Sequence, residues 1–408
     1  KLQCQSNSDC EVIVRLYEKF GCFKRVVKLL DGVFAILLVD GDKVYATRDR
    51  IGVRPLYFGN TSCGNLAIGS IVKCLLPICD NVFPIIPNEI TMWDLKYNSR
   101  ESYKVPNPIL PKCNDMSRAI QMVKGLLTKG VQKRVSSDRP IGCLLSGGLD
   151  SSIVAALLCI VLGPSNVRTY SIGMEGSTDL HYARIMADFL KTKHTEVKFT
   201  EEEGIAAIPE VIHTIESYDI TTIRASTPMY LLSQYISHNT YDRVIFSGEG
   251  SDELFCGYLY FHNAPDSVSA EKESERLVKE LHMYDVLRAD RSVSCHGLEF
   301  REPFLDKMLV EFALQLSGDI KRPYKGWEKY ILRKAFEDIL PNEIIWRRKE
   351  GFSDGNSSLE RPWKDVIAEH VDSMIDTYDT NIFMSKEQAY YRQVFDEFFP
   401  TYNLQLEP

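Results

Sequence analysis

Nowhere in the 408 residues does an apolar run approach the roughly 20 that a membrane-spanning helix requires, so no membrane partner is expected. The opening residues, KLQCQSNSDC, are polar, and no signal peptide is read there. Paired cysteine spacings are also missing. The chain has eleven cysteines, an odd number, spread from Cys4 to Cys295, which favours reduced thiols in the cytosol over a disulfide framework. Cys74 and Cys79 have no second tight pair to complete a structural zinc site. Basic residues are not in excess either: 48 Lys and Arg against 56 Asp and Glu leave a formal charge of -8, which argues against a nucleic-acid partner. Internal repeats and low-complexity tracts are not evident.

What is present is an ordinary globular composition, 44% hydrophobic and 25% charged, in a chain long enough for two domains. Helical spacing marks Cys10 to Phe20, with Asp9 as its expected N-cap. Val33 to Asp40 reads as a strand, Gly41-Asp42 as a turn, and Lys43 to Arg48 as the hairpin partner. Leu66 to Ser70 and Glu89 to Leu95 add two strands. These make an α+β region over residues 1–100. The proline-rich stretch 101–115 reads as a linker.

The pattern over 116–408 is different. A helix over Met116 to Val135 precedes the apolar strand Ile141 to Leu145, a glycine loop, and a helix over Ser151 to Leu162. A strand at Val167 to Ile172 leads to a helix with Leu180, Ala183, Met186, Ala187 and Leu190 on one face. Thr195 to Phe199 and Arg243 to Phe246 supply further strands, and the remainder to Pro408 reads as helical. Repeated β-α-β units predict an α/β fold with a mainly parallel sheet and right-handed crossovers. Ligands in such sheets bind at the carboxyl ends of the strands, where loops 146–152, 173–179 and 247–253 emerge.

Ser146-Gly147-Gly148-Leu149-Asp150-Ser151-Ser152 follows a strand and opens a helix. Its glycines admit a ligand close to the backbone, while helix N–H groups and three hydroxyls aim donors at one place; that is an anion cradle. The lysine and spacing of a Walker A loop are missing, which argues against hydrolysis of the β-γ bond in that style. Asp150 would repel phosphates unless a cation neutralises both, so magnesium is implied with Asp150 as one ligand. Ser247-Gly248-Glu249-Gly250-Ser251-Asp252-Glu253 has the same design and offers Asp252 as a second metal ligand, with Glu249 facing the ribose or an activated intermediate. The two loops together predict ATP-dependent activation of a carboxylic acid, with pyrophosphate leaving into the first.

These loops, with the segments 218–226, 288–299, Pro303 to Asp306 and Lys349 to Gly355, resemble the glutamine-dependent asparagine synthetases over nearly the whole chain. The resemblance implies a pyrophosphate-loop ATP domain, of the adenine nucleotide alpha hydrolase-like type, behind part of a class II glutaminase domain with an N-terminal nucleophile. It implies that aspartate and ATP give β-aspartyl-AMP and pyrophosphate, and that ammonia, from glutamine in an intact chain, then displaces AMP. Leu144, Ile172, Ser247 and Gly248 would line the nucleotide, and Glu249 would be needed to form the intermediate. Thr221, Arg224 and Lys349 would hold aspartate or the reacting phosphate, and Asp9 would contact glutamine. Glu302 and Arg348 depart from the residues usual in the family.

Lys1 stands first and the glutaminase nucleophile is not seen, which leads to the expectation of free ammonia as donor and of a strand near Val33 lacking partners. Expected partners are therefore aspartate, ATP and glutamine or ammonia, with a homodimer as the assembly. Two rival readings stay open on sequence alone: a synthetase adenylating another carboxylate, and a catalytically impaired paralogue with a regulatory or partner-binding role.

Overall fold

A computed structural model describes residues 4–6, 8–106 and 111–400. The chain divides into two compact units, 1–109 and 110–408.

In the first unit, helices α1 (Glu11–Phe20) and α2 (Phe23–Leu29) are separated at Gly21, whose left-handed φ of 58° ends α1. Seven strands follow: β1 (Ala35–Asp40), β2 (Lys43–Arg48), β3 (Tyr57–Thr61), β4 (Leu66–Gly69), β5 (Cys79–Pro84), β6 (Glu89–Asp94) and β7 (Ser99–Lys104). They form two antiparallel sheets, β1-β2-β6-β7 and β4-β3-β5. Phe23, Val26 and Val27 of α2 pack on Ile36, Leu38 and Ile90. The hairpin closes at Asp40 and Lys43 as its turn requires. Among the described residues β1 pairs only with β2, so it is an edge strand, and Leu37 and Val39 are exposed.

Two expectations fail here. Asp9 does not cap α1: Cys10, itself in helical conformation, precedes the helix, and the Glu11 carboxylate instead accepts from the backbone N–H groups of Gln5 and Ser6 at 2.8 and 2.7 Å. The stretch taken as linker from residue 101 begins as strand β7, whose largely exposed polar side chains hide a run held by backbone pairing to β6. Residues 107–110 of that stretch lie outside the described residues.

The second unit opens with α3 (Met116–Arg134), β8 (Ile141–Leu144), α4 (Leu149–Leu162), β9 (Arg168–Gly173), α5 (Thr178–Leu190), β10 (Lys193–Lys198), α6 (Glu201–Ile215), α7 (Ile220–Asn239), β11 (Val244–Phe246) and α8 (Ser251–Leu254). It continues through α9 (Ser267–Glu280), α10 (Asp285–Ser294), β12 (Glu299–Arg301), α11 (Lys307–Ala313), α12 (Gly318–Lys321), α13 (Tyr330–Phe336), α14 (Asn342–Ile345), α15 (Phe352–Gly355), α16 (Trp363–Met374) and α17 (Lys386–Phe398). The five strands are all parallel in the order β10-β9-β8-β11-β12. The chain therefore builds outward from β8 through β9 and β10, then crosses to the other side for β11. The crevice between β8 and β11 is the switch point at which such sheets take ligands. Helix α4, apolar all round, is buried behind β8.

One buried carboxylate ties together the strands beside the switch point. Asp242, fully buried just ahead of β11, accepts from Arg168 Nε at 2.9 and 3.0 Å and from the Tyr170 hydroxyl at 2.5 Å. Both partners belong to β9, so the contact spans β8, where Gly142 leaves the room: a Cβ there would lie 2.8 Å from the Tyr170 ring and 3.2 Å from the Asp242 carboxylate. Asp242→Ala would leave the buried Tyr170 hydroxyl without this acceptor, while Arg168 can turn to water. Its unfolding free energy, by urea titration, is expected to fall by about 1–3 kcal/mol.

Candidate active site

The two glycine loops leave β8 and β11 and press against each other. Gly147 takes a φ of 69°, and a Cβ on it would overlap the Tyr182 backbone at 2.3 Å, so only glycine lets this turn lie on α5. Ser146 and Ser151 hydroxyls sit 3.1 Å apart across the turn, and Ser146 Oγ accepts the Gly148 N–H at 3.3 Å. Gly148 starts α4 without any side-chain cap, leaving helix N–H donors facing outward. Gly248 of the second loop abuts the first directly, since a Cβ there would come within 2.8 Å of the Asp150 and Ser151 backbone. Ser251 Oγ then donates to Asp150 Oδ1 at 2.7 Å, tying the second loop to the acid of the first.

Asp150 and Asp252 meet at one ammonium. Lys329 Nζ lies 2.5 Å from Asp150 Oδ2 and 2.8 Å from Asp252 Oδ1, while Lys349 Nζ donates to both Asp252 oxygens at 2.8 Å. Burial alone would raise the Asp252 carboxyl, but Lys329 and Lys349 overcome it and hold that group well below the usual carboxylate range. Lys349 is driven the opposite way: burial lowers it, and Asp252 and Asp150 more than restore it, so it stays an ammonium. Gly257 makes the bridge sterically admissible, because a Cβ would fall 2.1 Å from both Asp252 Oδ1 and Lys329 Cε.

A cavity of about 290 Å³ opens over this cluster. Leu144, Tyr170 and Ile172 at the strand ends, with Met229 and Leu232 of α7, give it an apolar wall; Ser146, Gly148, Ser247 and Gly248 give it donors. Glu249 faces the cavity, raised by burial and opposed by Arg288, whose Nη2 reaches its two oxygens at 3.3 and 3.2 Å. Glu253 also lines it; burial, with Asp285 and Asp252 nearby, pushes its carboxyl up to about 8, and it accepts the Tyr258 hydroxyl at 2.5 Å. Among the described residues no group of three or more His, Cys, Asp or Glu is placed to hold a metal. Asp150 and Asp252 each present hard oxygens of the kind magnesium takes, and one oxygen of each faces Lys329.

Of the other residues singled out from the sequence, Thr221 and Lys349 line the cavity. Arg224 does not; its guanidinium is engaged in a bidentate pair with Glu387 of α17, one arm at 2.8 Å. Ser152 is fully buried inside α4, and Asp9 lies exposed in the first unit, ahead of α1. Among the described residues none of the eleven cysteines is in a disulfide. Sequence reasoning missed Lys329 altogether: no motif or periodicity distinguishes a lysine in Gly-Trp-Glu-Lys-Tyr. It also passed over Arg347, which donates to the Ser146 carbonyl at 3.1 Å and to Asp179 at 2.8 Å, and so braces the first loop from outside.

Comparison with known proteins agrees with this geometry. Residues 122–276 and 266–405 match the asparagine synthase family, and residues 1–103 match the glutamine amidotransferase domain. The chain is 42% identical to the asparagine synthetase (glutamine-hydrolysing) of Mus musculus over 98% of its length and 78% of the relative's. The Homo sapiens protein of that name is 43% identical with the same coverage, and the Gallus gallus protein 42% identical over 97% of this chain and 78% of its own. With a parallel sheet, two glycine loops at its switch point and this likeness along nearly its whole length, the chain belongs to the asparagine synthase family.

Proposed function

We propose that the cavity adenylates aspartate on its side-chain carboxylate and then amidates it, so that the chain is a ligase making asparagine from aspartate, ATP and ammonia. The observation that carries this reading is the Lys329 ammonium held between one acid from each loop, which supports a triphosphate and its counter-charge meeting there. Residues 1–103 match a glutamine amidotransferase domain, which in an intact full-length chain would supply the ammonia from glutamine.

In the first step an aspartate β-carboxylate oxygen attacks the α-phosphorus of ATP, the bond from that phosphorus to the bridging oxygen breaks, and pyrophosphate leaves. The base would lie on Leu144 and Ile172, with Ser247 and Gly248 beside the nucleotide and the pyrophosphate on Ser146, Gly147, Gly148 and Ser151. Lys329 and Lys349 are fixed before substrate arrives, so they oppose the charge that builds on the leaving oxygens without reorganising. Magnesium, held by Asp150 and Asp252, would neutralise the triphosphate. Thr221, on the cavity side of α7, would orient aspartate. In the second step ammonia attacks the acyl carbon, AMP departs, and the nitrogen sheds a proton; Glu249, which Arg288 contacts, would restrain the intermediate.

Labelled pyrophosphate should exchange into ATP only when aspartate is present. Glu249→Ala is expected to cut that exchange by about 10²–10³-fold with the circular dichroism unchanged, and retained exchange would remove Glu249 from the mechanism. Since burial raises the Glu249 carboxyl and the ionised form is the working one, activity is present above that raised value and lost as pH falls through it. The acid limb of the exchange rate should therefore lie above the range of an ordinary exposed glutamate, and a limb at or below that range would contradict the assignment.

Lys329→Met deletes the shared cation. Exchange should fall by about 10²-fold or more, and thermal unfolding at low ionic strength should show a lower midpoint because two carboxylates are left facing each other. Wild-type exchange rates in this variant would show that the ammonium is structural only.

A further inference from the structure

Most cations bordering the cavity are neutralised by a carboxylate of the same chain. Lys329 has Asp150 and Asp252, Lys349 has Asp252, Arg347 has Asp179 and Glu350, Arg288 has Glu249 and Asp285, and Arg333 has Glu328. Arg348 is different. It lines the cavity, it is exposed, and no carboxylate of the described residues pairs with it. Its guanidinium carbon lies 5.3 Å from the Trp327 ring centroid. Trp327 is itself held in place, with Arg333 4.9 Å from its centroid and Trp346 edge-on at 5.2 Å. Arg333 is anchored in turn to the backbone carbonyls of Glu328, at 2.9 Å, Ile345 and Arg347. A guanidinium lying against an aromatic surface keeps its in-plane N–H donors available, and less freedom is lost when an oxyanion takes them.

Its neighbours fix which end of the cavity it serves. Arg347, one residue before, bonds the Ser146 carbonyl of the first glycine loop; Lys349, one residue after, bonds Asp252 of the second. Arg348 lies between these two contacts, on a segment that borders both glycine loops. An unneutralised planar cation at that place meets a ligand whose charge exceeds what the paired residues absorb.

We propose that Arg348 binds the outer phosphates of ATP and, after adenylate formation, the departing pyrophosphate. The proposal rests on the adenylation reading for its biological use, but the binding itself is separable from the reaction.

Calorimetric titration of the full chain with magnesium pyrophosphate tests it. Affinity should weaken about tenfold in Arg348→Gln, a loss expected from removing a charge-assisted contact, and recover in part in Arg348→Lys. In steady-state assays the KM for ATP should rise by a similar factor while the KM for aspartate moves less than about twofold. The thermal midpoint of Arg348→Gln should match wild type, since the side chain is exposed. Unchanged pyrophosphate affinity in Arg348→Gln overturns the proposal, as does a loss confined to aspartate, or a wild-type chain that binds no pyrophosphate. Wild-type binding of pyrophosphate without aspartate-dependent exchange would instead sink asparagine synthesis and leave the role of Arg348 standing on the titration.

Discussion

Lys329, 3% exposed, stands between two aspartates that follow different strands, in the first turns of α4 and α8, and come from distant parts of the sequence. Two carboxylates brought together out of water repel and are costly to desolvate. A third charge at their meeting point turns that liability into a clamp. The rest of the second unit can be understood as what is needed to put those three groups in one place. The switch in strand order sets the β8 and β11 loops side by side. Gly248 lets the second loop rest against the first, and Gly257 leaves room for the bridge. Asp242 ties the start of β11 to β9 across β8.

The electrostatics follow from the same crowding. Burial by itself disfavours every charged form in the cavity. Asp252 and Lys349 escape because each has opposite charge within hydrogen-bonding distance. Glu249 and Glu253 do not fully escape, since the acids around them add to the effect of burial, and both are raised. One small site therefore holds carboxyls displaced in opposite directions, which is the condition for neighbouring acids to do different chemical work.

Local chemistry made much of this legible from residues alone. Both glycine loops, the β-α-β alternation and the hairpin at Gly41 announce themselves through turn residues and apolar periodicity, which act over a few positions. The elements that escaped are those without such marks. Strand β7 is polar and is held by its ladder, and β12 is three residues long. Side-chain partners were the hardest to foresee. The resemblance points Arg224 at substrate, yet its fork is engaged by Glu387, 163 residues along the chain, and nothing local encodes that pairing. Lys329 was invisible for the same reason, as its two acids come from residues 150 and 252.

Lys329 has one further property. It begins α13 with a φ of 51° and a ψ of 36°, a left-handed conformation that glycine or asparagine adopts more cheaply. Backbone preference and side-chain duty thus pull the position toward different residues. Replacing this lysine with glycine or asparagine would relieve the backbone but remove the ammonium that joins Asp150 to Asp252, so the local and tertiary preferences of this position oppose each other.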